Sequence, residues 1–72
     1  MDDDARLLPL INPDSRISND MSRELVWLGA VCQMNQRGSI TGREVRAFLR
    51  DTQGRPDLAD AFSNSYLLAS VR

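Results

Sequence analysis

A chain with one cysteine, Cys32, and no histidine has neither an internal disulfide nor a set of zinc ligands to hold it together. That constraint weighs most because the chain has only 72 residues. This is one domain's worth of sequence, with a modest core. Domains this small draw on a cross-link, a metal or a partner that covers apolar surface. With the first two excluded, the sequence is left with a very efficient core, a homodimer, or another protein laid against it.

The same residues exclude much chemistry. Without histidine or lysine, and with the one thiol inside an apolar stretch, no catalytic residue can be named and no enzyme is expected. Asp57 and Asp60 fall in a helical first turn, where capping accounts for them. No cofactor motif or phosphate-cradling glycine loop is present. The start, Met1-Asp2-Asp3-Asp4, is acidic where an export signal is basic, and no apolar run reaches membrane-spanning length. Together with a lone buried cysteine, this points to the cytoplasm and away from a membrane.

All nine basic residues are arginine. Three of the ten acids stand at Asp2, Asp3 and Asp4, which leaves seven for the body, mildly outnumbered by arginine. Arginine binds carboxylates and phosphates through a planar fork, but an excess this small does not by itself mark a nucleic-acid binder.

Residues 1–18 read as an N-terminal arm, extended or partly disordered, and residues 19–72 as an all-α domain of three helices. Pro9 and Pro13 oppose a helix in the arm. Its aliphatic residues Leu7, Leu8, Leu10 and Ile11 either fold back over the core or form an apolar segment that docks on a partner. The first helix is expected over residues 19–35, with Ser18, Asn19 or Asp20 as its cap. Met21, Leu25, Leu28 and Cys32 make one apolar face. Trp27, Val31 and Met34 make a second, which either the arm or another molecule must cover. Residues 36–39 break the helix, with Gly38 supplying the freedom for the turn. Thr41-Gly42-Arg43-Glu44 is a capping box, bracketed by Ile40 and Val45 as a hydrophobic staple. The second helix buries Val45, Phe48 and Leu49 and carries Arg43, Arg46 and Arg50 outward as a cationic strip. A third helix starts near Asp57 and puts Leu58, Ala61, Phe62, Ser65, Leu68 and Ala69 on its inner face, with poor propensity at residues 63–65.

Two motifs bear on ligand binding. Residues 33–44 have the spacing of a calcium-binding loop, with Gly38, Ile40 and Glu44 at the sixth, eighth and twelfth places. Yet Gln33, Asn35 and Arg37 fill the first, third and fifth, and Arg37 puts a cation where a dication would sit, so no metal site is expected. Helix, glycine-containing turn and arginine-bearing helix also suit a DNA-binding helix-turn-helix. In that rival reading Arg43, Arg46 and Arg50 meet phosphates or guanine edges.

Glu24, Leu28-Gly29, Val31, Gly38, Ile40-Thr41, Arg43, Val45 and Leu49, then a third helix with Tyr66 and Leu68, follow one another in an order that resembles the small enterobacterial connector proteins of the AriR type (YmgB-like). The resemblance implies a small helical dimer that regulates through protein contacts, in a family linked to biofilm and acid stress. From the residues themselves, the expected function is a non-enzymatic regulator that binds a larger protein of the transcription or signalling machinery, such as RNA polymerase or a response regulator. The expected contacts are Leu7, Leu8, Leu10, Ile11 and Trp27 as apolar anchors, with Arg43, Arg46 and Arg50 pairing to carboxylates.

Overall fold

The structure is a computed structural model and describes residues 5–67. Its longest element is helix α1, Asn19–Met34. The Ser18 side chain accepts from the Met21 amide at the start and satisfies one of the amides a helix leaves unpaired. Met21, Leu25, Leu28 and Cys32 recur at helical spacing and are buried. The helix ends in a Schellman turn: Gln36 donates to the Gln33 carbonyl and Arg37 to that of Cys32. This turn needs one left-handed residue, and Gln36 takes it, with φ 58°. Gly38, expected to supply that freedom, keeps a negative φ, and a side chain there would meet open space.

The all-α expectation is overturned by a two-stranded antiparallel sheet. Strand β1, Leu7–Pro9, pairs with β2, Ser39–Thr41, with Leu8 opposite Ile40. The fold is mixed: helices plus this small sheet. Three-residue strands are too short to show an alternating pattern, and the staple role of Ile40 explains its apolar side chain without a strand. One residue serves both roles, because its backbone pairs with the arm while its side chain enters the core.

The arm continues as a belt. Ile11 is buried and lies over Gly29, where an added Cβ would come within 3.2 Å of the Ile11 carbonyl oxygen. A side chain at this position would push the Ile11 carbonyl back by a few tenths of an ångström, so glycine suits the close approach. Further on, Pro13 bridges to Leu67 and the Asp14 amide donates to the Tyr66 carbonyl at 2.6 Å. The arm therefore ties the β2 turn, the first helix and the last described segment together.

Thr41 caps helix α2, Gly42–Ala47, with both reciprocal bonds of the capping box in place. A π-helical turn, Phe48–Thr52, follows, and Gly54, at φ 65°, stops it. Helix α3 covers only Pro56–Ala61. Pro56 sits at its first position, where a missing amide costs nothing, so the start lies at Arg55 rather than at Asp57. The chain then turns extended at Phe62 and closes with a 3-10 turn, Asn64–Tyr66. The long third helix is thus corrected to a short one. Leu58, Ala59 and Phe62 are buried while Ala61 and Ser65 are exposed. The expected placements of Leu68 and Ala69 lie outside the described residues. The core gathers these side chains with Val45 and Leu49 of the second helical segment and Leu8, Ile11 and Ile40 of the belt and its partner strand.

Two substitutions check this packing by urea denaturation. Leu8→Ala removes a buried side chain and should cost about 2–3 kcal/mol, while Leu7→Ala, on the outer side of the same strand, should stay within about 0.5 kcal/mol of the parent. At the helix end, Gln36→Gly should stabilise by about 0.5–1 kcal/mol by relieving the left-handed backbone, and Gly38→Ala should not destabilise through its backbone.

Candidate functional site

The sites proposed from sequence separate into three groups in space. Leu8 and Ile11 are 6% and 9% exposed and belong to the domain's own core, and Leu10 is half-buried against it. They are held by the fold and do not stand out as anchors. Leu7 and Trp27 do point outward, 66% and 53% exposed.

Arg43, Arg46 and Arg50 do not form an open cationic strip. Arg46 is half-buried, 5.3 Å over the Phe62 ring, and donates to the Phe62 carbonyl at 3.4 Å. Arg50 stands past the point where the helix widens into the π-turn and pairs with Asp51 at 3.2 Å. Only Arg43 of the three is exposed on the short α2 helix itself, and it too is engaged. The strip presumed regular α-helical spacing as far as Arg50, and the π-turn alters that spacing.

The calcium-like loop is closed by its own cation. The Arg37 guanidinium donates two parallel bonds, each 2.9 Å, to the two carboxylate oxygens of Glu44. The same carboxylate accepts from the Thr41 amide at 3.0 Å and the Thr41 hydroxyl at 3.1 Å. Arg37 above all, and the Thr41 backbone after it, bring the Glu44 carboxyl down to about 2. Among the described residues no group of three or more histidine, cysteine or acidic side chains could hold a metal ion. Cys32 is buried, and its burial pushes the thiol up, away from nucleophilic readiness.

What remains is the outer face of α1. Val26, Trp27 and Met34 are 57%, 53% and 70% exposed, and Ala30 is exposed between them. Val31, placed on this face from sequence, is half-buried, and Val26 was missed there. The signal for Val26 was present: residues 26, 30 and 34 repeat at one-turn spacing. Beside this face, Val26, Gly29 and Ala30 border a shallow trough of about 310 Å³, and residues 10–13 of the arm form its other wall. The arm thus covers the Gly29 side of the helix and stops short of the Trp27 side. Val26, Trp27 and Met34 are the large apolar side chains that α1 leaves exposed.

The charge network of the loop gives a pH prediction. Glu44 has a folded pKa of about 2 against an ordinary value near 4.5. Its contribution is therefore complete above about pH 4.5 and is lost as pH falls toward about 2. Solvent reaches this carboxylate, which limits the effect to about 1 kcal/mol or less. Glu44→Gln, which keeps capping capacity without charge, should lack that component when urea midpoints are compared from pH 6 to pH 2.

No family model, curated protein or solved structure matches the chain.

Proposed function

We propose that this chain is a non-enzymatic regulatory protein that acts in the cytoplasm by binding a larger protein of the transcription or signalling machinery. The single observation that carries this reading is the exposed row of Val26, Trp27 and Met34 on α1. Burying such side chains against a partner is favourable by about 25 cal/mol per Å², and Trp is the residue most often found to dominate a binding surface. The one thiol is buried, and the arginines offered for nucleic acid are engaged within the fold. No described helix is long and apolar enough to cross a membrane. Regulation through protein contacts is also what the resemblance to AriR-type connectors implies.

The test is a surface variant. Val26→Ser, Trp27→Ser and Met34→Gln together alter only exposed positions, so circular dichroism and melting should stay near those of the parent. Capture of a specific protein from a lysate of the source cells, identified by mass spectrometry, should fall at least tenfold. Arg43→Ala with Arg50→Ala should leave capture unchanged. Equal capture by the triple variant and the parent would sink the proposal.

A further inference from the structure

Three sulfur-bearing side chains fall among the described residues: Met21, Cys32 and Met34. All three lie on α1, and the fold treats them differently. Met21 and Cys32 are 2% and 3% exposed and belong to the core. Met34, the last residue of the same helix, is 70% exposed. An oxidant must touch a sulfur to oxidise it, so access decides which of the three reacts. Cys32 has a second protection. Its burial pushes the thiol up, and a thiol is a far poorer nucleophile than a thiolate.

The effect of oxidation at Met34 follows from where it stands. A thioether is apolar and polarisable, whereas its sulfoxide is polar and accepts hydrogen bonds from water. Met34 takes no part in the core, so an oxygen added there meets solvent and leaves the packing alone. The same oxygen on Met21 would be a polar atom in a buried place and would destabilise the fold. Val26, Ala30 and Met34 follow one another at one-turn spacing on the outer side of α1, with Trp27 beside them. Oxidation therefore turns one end of the exposed apolar row polar and keeps the rest of the molecule as it was.

We infer that Met34 is a reversible oxidation site for hydrogen peroxide and, resting on the reading of this face as the docking surface, that its sulfoxide weakens docking. In the step, the thioether sulfur attacks one peroxide oxygen. The O–O bond breaks, an S–O bond forms, and the other oxygen leaves as water after a proton transfer. Sulfur loses two electrons and peroxide gains them. A methionine sulfoxide reductase, supplied with thiol electrons, removes the oxygen again as water.

Graded hydrogen peroxide on the full chain, followed by tryptic digestion and mass spectrometry, tests the site. Met21 falls in the peptide of residues 17–23, while Cys32 and Met34 share that of residues 24–37, where fragment ions place the oxygen. In the native chain Met34 should take up oxygen at least tenfold faster than Met21, with Cys32 unmodified. In concentrated urea the two methionines should react within about twofold of each other. Equal rates in the native chain, or a gap that survives urea, overturns the site. Helicity and melting of the chain oxidised at Met34 should match the parent, and unfolding would overturn the separation of this residue from the core. Partner capture by the peroxide-treated chain should fall at least threefold and recover after the reductase. Met34→Leu, which keeps the apolar bulk without the sulfur, should hold its capture through the same treatment. An equal fall in the parent and Met34→Leu, or a fall in neither, overturns the weakening of docking. The triple variant then separates the two readings: its loss of capture keeps the docking face, and its unchanged capture removes that face as well.

Discussion

Leu8 set against Ile40, and Ile11 seated over Gly29, form the contact on which the rest of this small fold depends. Neither element could hold by itself. A three-residue strand has too few hydrogen bonds to persist in water, and a two-stranded sheet is marginal even when longer. Both strands persist because each also delivers a side chain to the core. The cost of fixing the arm is offset by apolar surface removed from water on both sides of the contact. Once β2 is pinned, Thr41 stands where it can cap α2, and Val45 and Leu49 follow into the interior. A chain with one cysteine and no histidine is closed here by its own N-terminal segment.

The parts of the fold that could be read from sequence were those with a strong local rule. The α1 helix declared itself through Met21, Leu25, Leu28 and Cys32, and its cap as one of Ser18, Asn19 and Asp20, of which Ser18 takes the role. The box at Thr41 and Glu44 is a short-range hydrogen-bond pattern that tertiary context had no reason to disturb. The sheet depended on residues about thirty apart, and nothing local at Leu7 or Ser39 announces a partner. At the third helix, propensity was the weak argument and geometry won: Pro56 set the start, and the extended backbone at Phe62 ended it before the low-propensity serines were reached. The candidate surface was half legible. Trp27 and Met34 were placed on the outer face, while the fate of Leu8 and Ile11 turned on whether the arm folds back, which periodicity cannot decide.

The loop between α1 and α2 shows how one spacing can serve different physics. A turn that leaves one helix, runs one strand residue into the core and enters a capped helix fixes the places of Ile40, Thr41 and Glu44, whatever the loop encloses. A dication would be gathered by several anionic oxygens. Here a tethered guanidinium holds the same carboxylate, and the chain reverses at Gln36, two residues ahead of the glycine that the spacing would nominate. A tethered cation cannot diffuse away, so the Glu44 carboxylate is held without a bound dication.

The bridge from Pro13 to Leu67 has a consequence for how the molecule is made. Within this stretch the belt is synthesised before every surface it fastens to, the last of them near residue 67. Until Ile40 has been made Leu8 lacks its partner strand, whereas Ile11 can meet Gly29 as soon as α1 has formed. Local turns of helix can flicker into being on the nascent chain, but the Pro13 contact must wait until Leu67 has been made. Closing the belt is then a late event, governed by long-range loop closure.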